Sequence, residues 1–206
     1  MPERIDGSTP IVGRSLSRRH FGSALLATPL AAEVIALGGL LALSPTPACG
    51  EDHAPTPSQT EGPFFTPKSP ERADFVEEGM KGDPLWVEGR VFSTEGAPVP
   101  KALLDFWHAD ADGNYDNEGF RCRGHLFADE EGRFRLKTIR PGMYPGRTPH
   151  VHVKVQAPHG KILTTQLYFP NEPRNETDRI FNPKLLMRMK EEDLVLKGEF
   201  DFVLVM

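Results

Sequence analysis

From Leu85 onward the chain breaks into short runs of alternating apolar and polar residues: 85–92, 102–107, 133–137, 151–155, 164–169 and 200–205. Turn signals separate them at Glu95-Gly96, Asp112-Gly113-Asn114, Glu131-Gly132, Pro141-Gly142 and His159-Gly160. A strand sends successive side chains to opposite faces, so such runs bury one face and wet the other. Runs this short must pair into sheets, and their number and spacing predict an all-β domain, a β-sandwich over residues 80–206. Residues 182–193, rich in helix formers, predict one short helix near the C-terminus. The 19 glycines and 20 prolines are more than most domains carry; they suit many turns and follow no collagen period.

The first 48 residues read as an address rather than a fold. Ser17-Arg18-Arg19-His20-Phe21 precedes an apolar stretch over about residues 21–43, and Ser44-Pro45-Thr46-Pro47-Ala48 ends it. A basic start, an apolar middle and a small-residue end make an export signal, and the arginine pair is similar to a twin-arginine signal. The expected destination is the periplasm or the cell exterior. Two alternatives remain: a retained membrane helix, against which Glu33 stands, and tethering through a lipid on Cys49. Residues 49–79 contain five prolines before Glu71 and predict an extended lead segment that must lie against something to be ordered. Residues 1–48 hold four of the 24 basic and three of the 29 acidic residues, so the remainder carries a net charge of −6. That balance excludes a basic nucleic-acid footprint. Two cysteines, Cys49 and Cys122, exclude a disulfide scaffold or a Cys-rich zinc site; a bridge between the two stays open.

His150-Val151-His152 puts two imidazoles on one face of a strand, a common beginning of a metal site. The blander reading is a pair of core or surface histidines. Two of the three tyrosines bear on the choice. Tyr115 follows the Asp112-Gly113-Asn114 turn and Tyr144 follows Pro141-Gly142, so both stand at strand–loop edges, where sites are usually built. His108 and His125 read as structural or surface residues, and Phe106 and Trp107 as core on opposite faces of one strand.

Several motifs then agree in order along nearly the whole chain after residue 48. Thr56-Pro57-Ser58-Gln59-Thr60-Glu61-Gly62-Pro63-Phe64-Phe65, residues 105–115, Arg123-Gly124, residues 129–132, residues 138–144, Arg147, His150-Val151-His152 and Gln166 together resemble the intradiol ring-cleavage dioxygenases, and among them the protocatechuate 3,4-dioxygenase branch with its small secreted relatives. The resemblance implies a non-haem Fe(III) held by Tyr115, Tyr144, His150 and His152. It implies that Arg147 and Gln166 lie beside the substrate, and that Gly62 and Pro63 line the pocket. The substrates it implies are a catechol-type aromatic and O2, with both oxygen atoms inserted to give a cis,cis-muconate-type diacid. The chemistry is self-consistent. Ferric iron prefers anionic oxygen donors and accepts imidazole. Its charge is neutralised by two phenolates and a hydroxide, and a poorly hydrated pocket tolerates that neutral sum. A catechol dianion could replace the hydroxide and one tyrosinate, Tyr144 by the family pattern, with no change in total charge. Arg147 could then stabilise carbanion character on the ring.

Two departures stand out. Only residues 145–149 separate the second tyrosine from the first histidine, fewer than in the protocatechuate enzymes. The helical amino-terminal domain of the catechol 1,2-dioxygenases is not expected here, so their dimer interface does not carry over; a homo-oligomer built another way stays open. The competing readings are a non-catalytic transthyretin-like binding or adhesion module, which needs only the turns and core, and a zinc hydrolase, which lacks a third ligand.

Overall fold

The structure is a computed structural model and describes residues 53–206. The export signal and Cys49 fall outside the described residues. Nine strands follow in chain order: β1 (Pro84–Ser93), β2 (Leu103–Trp107), β3 (Arg123–Phe127), β4 (Arg133–Ile139), β5 (His150–Gln156), β6 (Ile162–Tyr168), β7 (Arg188–Glu192), β8 (Val195–Glu199) and β9 (Phe202–Leu204). One sheet runs β4-β1-β8-β7, with β9 continuing alongside β1; the other runs β3-β2-β5-β6. β1 pairs antiparallel with β4 and parallel with β8 and β9, whereas every pairing in the second sheet is antiparallel.

The alternation seen in the sequence becomes the core. Leu85, Val87 and Val91 of β1 and Phe134 and Leu136 of β4 are buried with Leu104 and Phe106 of β2, Val151, Val153 and Val155 of β5, and Leu167 of β6. On the other face of the second sheet lie the residues of opposite parity, among them Trp107, His150, His152 and Gln166. They too are buried, because the lead segment runs over them. Thr56 N–H donates to Val203 O (3.0 Å), Gln59 N–H to Thr164 O (2.8 Å) and Arg72 N–H to His125 O (2.8 Å). Phe75 N–H donates to Lys137 O, and the Phe75 ring is fully buried in the core. A proline-rich strap without secondary structure of its own is thus ordered by bonds to the strands beneath it.

The helix expected over residues 182–193 is not there. Pro183–Leu185 forms a single 3-10 turn, and Arg188–Glu192 is β7, paired antiparallel with β8. The residues are good helix formers, but Leu185 and Met187 are buried with spacing two, and pairing with β8 overrides propensity. The tight turn between the two strands is made by Asp193 and Leu194, both with positive φ (52° and 65°). Such a turn usually announces itself with asparagine or glycine.

Candidate metal centre

β5 turns His150 and His152 to the strap side, and the sheet register lines up their neighbours. Arg123, Trp107, His152 and Gln166 are cross-strand partners in one row over β3, β2, β5 and β6, and His150 faces Tyr168 in the next. Trp107 and His152 stack with centroids 4.8 Å apart and planes 6° from parallel.

Two loops bring the tyrosines to this row. In the β2–β3 connection Asp110 Oδ1 accepts the N–H groups of Asp112 (3.0 Å) and Asn114 (2.9 Å), and the chain then enters Tyr115. Gly142 N–H, two residues before Tyr144, donates to Asp110 O (2.8 Å). The two loops touch backbone to backbone: a Cβ on Gly113 would lie 2.3 Å from Met143 O, and one on Gly142 would lie 2.1 Å from Ala111 O. Glycine is required at both contacts, which seat Tyr115 and Tyr144 next to each other.

Tyr115 Oη lies 3.3 Å from His150 Nε2, and His150 Nε2 lies 3.1 Å from His152 Nε2. The Tyr144 ring meets Tyr115 edge-on at 5.8 Å, and Phe64 of the strap stacks on Tyr115 at 4.4 Å. The structure therefore draws Tyr115, His150 and His152 to one point, with Tyr144 one ring away. A Cβ on Gly62 would lie 3.6 Å from His152 Cε1, so the strap's glycine runs along that imidazole, while Pro63 is exposed.

The electrostatics leave these donors ready for a cation. His150 Nδ1 donates to Thr148 O (2.7 Å), so Nε2 carries the lone pair. Burial, reinforced by the nearby Arg147 cation, lowers the His150 pKa to about 4. Burial, followed by His150 and Arg147, puts that of His152 well below its usual value. Burial pushes the Tyr115 phenol up, against the pull of Arg147 and Arg123. Without a cation the site holds two neutral imidazoles and a neutral phenol; a trivalent ion reverses the preference of the phenol. Donors bound about 2 Å from one ion stand about 3 Å apart, the spacing found here. His152 Nδ1 is buried and without a partner among the described residues, and Nε2, 3.1 Å from His150 Nε2, is the ring nitrogen that faces the site. The residues fit a hard ferric ion. Among the described residues no cluster of three or more His, Cys, Asp or Glu side chains occurs, so a zinc site has no third ligand.

Arg147 is held at one end. Its Nε donates to Asp178 Oδ2 (2.8 Å), and Nη2 donates to Gln166 Oε1 (2.6 Å) and approaches Tyr168 Oη (3.4 Å). Gln166 is fully buried; its amide donates to Thr60 O (2.8 Å) and its oxygen also accepts from Tyr168 (3.0 Å). The Gln166 oxygen is thus committed to Arg147 and Tyr168. Burial pushes the Tyr168 phenol to about 12, and this third tyrosine stays a neutral donor. Phe64, Tyr168 and Asp178 escaped the sequence reading because only the folded chain brings them to the site. His108 and His125 lie elsewhere. His108 Nε2 meets Thr138 Oγ1 (2.7 Å), and His125 Nδ1 meets Ser69 Oγ (3.2 Å). Phe106 faces the core and Trp107 the strap.

A two-sheet sandwich with phenol and imidazole donors gathered over one sheet is a dioxygenase architecture, and residues 60–204 match a family model described as "Dioxygenase". The chain belongs to the intradiol ring-cleavage dioxygenase family. It is 33% identical to the hydroxyquinol 1,2-dioxygenase of Nocardioides simplex, over 60% of this chain and 50% of that protein. It is 30% identical to the 6-chlorohydroxyquinol 1,2-dioxygenase of Cupriavidus pinatubonensis, over 84% and 74%. The chain thus spans from about half to three quarters of the length of these relatives. Among solved structures, the dioxygenase domain of a dioxygenase carbohydrate-binding protein fusion from Streptomyces sp. SirexAA-E shares 53% identity and a TM-score of 0.72, over 74% of this chain and 99% of that one.

Proposed function

We propose that this chain is an exported non-haem Fe(III) intradiol dioxygenase. Its reaction would be a catechol-type aromatic plus O2 giving a cis,cis-muconate-type diacid that retains both oxygen atoms. The observation that carries the reading is that His150 Nε2 lies within 3.3 Å of both Tyr115 Oη (3.3 Å) and His152 Nε2 (3.1 Å) in a largely buried spot. A transthyretin-like scaffold has no use for that arrangement. Hydroxyquinol and chlorohydroxyquinol relatives favour a hydroxylated catechol as substrate. The paired arginines and apolar stretch of residues 17–43 support export.

Tyr115, Tyr144, His150 and His152 would hold the ferric ion, which when bound supplies a strong Lewis acid and electron acceptor for the two catechol oxygens. The protein's own groups do the rest. Thr148 O fixes the His150 tautomer so that Nε2 faces the site. Phe64 stacks on one face of Tyr115. Among the described aromatic rings Tyr144 meets only Phe64 and Tyr115, both edge-on, so it is the less tightly packed of the two tyrosines that would hold the ion and the one that would make room for substrate. Arg147 presents the Nη1 end of a fixed cation to negative charge building on the ring, while Phe64 and Trp107 limit water.

The test is turnover of catechol, hydroxyquinol and protocatechuate by the iron-loaded protein under 18O2. The expected result is one equivalent of O2 consumed per ring and two labelled atoms in the diacid. Absence of cleavage with all three, or label in only one position, would overturn the assignment.

A further inference from the structure

We propose that Asp178 is the positioning residue that sets the plane of the Arg147 guanidinium; the inference rests on the role given to Arg147 above. Asp178 lies 31 residues from Arg147 in the chain, just beyond the 3-10 turn Pro173–Glu176, and its side chain is 2% exposed. All three groups that meet its carboxylate are donors. Arg147 Nε (2.8 Å) and Thr148 N–H (3.0 Å) share Oδ2, and Ile180 N–H (3.1 Å) takes Oδ1.

A guanidinium is a rigid planar fork. Anchoring Nε on Asp178 and Nη2 on Gln166 fixes both its position and its plane. The two N–H bonds of Nη1 find no acceptor among the described residues, so they are the pair left for a substrate. Gln166 alone cannot hold the fork, because one bond leaves it free to pivot. Ile180, tied to the same carboxylate, accepts through its carbonyl from Gln59 Nε2 (3.0 Å), and that carbonyl lies 3.2 Å from Tyr168 Oη. Asp178 therefore joins the arginine to the strap and to the wall behind it. Asparagine cannot replace it. An amide has one acceptor oxygen, and its NH2 must face either Ile180 N–H or the Arg147 and Thr148 donors, which it repels.

The test uses the full iron-loaded chain with Asp178→Asn, Arg147→Met and the double variant. Asp178→Asn is expected to lower kcat about 10- to 100-fold, as misaimed catalytic groups do, with KM changed less than about threefold. Iron stoichiometry and the visible band should stay at wild-type values, while Tm falls by a few degrees because buried donors lose their acceptor. In the Arg147→Met background the same substitution should change kcat less than about twofold, because its effect passes through the arginine. A crystal structure of Asp178→Asn should show the guanidinium rotated. An equal loss of kcat in both backgrounds, or lost iron, would reduce Asp178 to a structural residue. Normal turnover by Asp178→Asn would end the proposal while leaving the dioxygenase reading intact. A wild-type chain that cleaves no catechol, yet whose guanidinium moves only when Asp178 is changed, would end the dioxygenase reading and leave the positioning role.

Discussion

Acid should destabilise this protein in part through His108, and the size of that part follows from its surroundings. The ring is 1% exposed, with Nδ1 2.7 Å from Ala109 O and Nε2 2.7 Å from Thr138 Oγ1. Burial lowers its pKa from 6.5 to about 4, opposed by the bond to Ala109. The unfolded chain therefore binds a proton that the folded chain refuses, and stability falls as pH drops. The contribution is intact above pH 6.5, is down by about 2 kcal/mol at pH 5, and is lost by about 3 kcal/mol below pH 4. His108 stands at the foot of the loop that carries Tyr115, so this loss loosens the site early. The assay is urea unfolding of wild type and His108→Gln between pH 7.5 and 5. His150 and His152 titrate in both proteins and cancel in the difference. The wild-type curve should fall more steeply, by about 2 kcal/mol at pH 5. Parallel curves would refute the argument.

Phe75→Ala should cost about 3–5 kcal/mol in chemical denaturation, because the strap's ring is a fully buried core residue; a loss below about 1 kcal/mol would mean that the strap only lies on the surface. Gly142→Ala should force apart the loops bearing Tyr115 and Tyr144 and lower iron content, read by metal analysis, since its Cβ would meet Ala111 O at 2.1 Å. Arg147→Ala should keep iron and colour while losing turnover at least about 100-fold; normal steady-state rates would remove the arginine from the chemistry.

Much of the sandwich could be read from alternation alone. β1 and β4 stand out because each buries about one residue in two, and β5 because valines alternate with polar residues although both its faces are covered; the His-x-His pair inherits its geometry from that period. β3 was hidden: Arg123 is charged yet buried, Gly124 has no side chain, and His125 breaks the pattern. β7 was hidden because Arg188-Met189-Lys190-Glu191-Glu192 has helix propensity and only its pairing with β8 decides. The four proposed metal donors were named from local spacing and family motifs. Asp178, Phe64 and Trp107 were not legible as site residues, because an acid after a turn or an aromatic in a run acquires its meaning from contacts across the chain. Gln166 was legible as a position but not as a bracket, since its partners Arg147, Tyr168 and Thr60 come from three separate segments.

The most direct test of the central claim is the visible absorption spectrum and iron content of the purified protein beside Tyr115→Phe and His152→Ala. The account predicts about one iron per chain and a phenolate-to-iron charge-transfer band that weakens together with the metal in both variants. Full colour and full iron in either variant, or a wild-type protein that takes up ferric iron without any visible band, would contradict it.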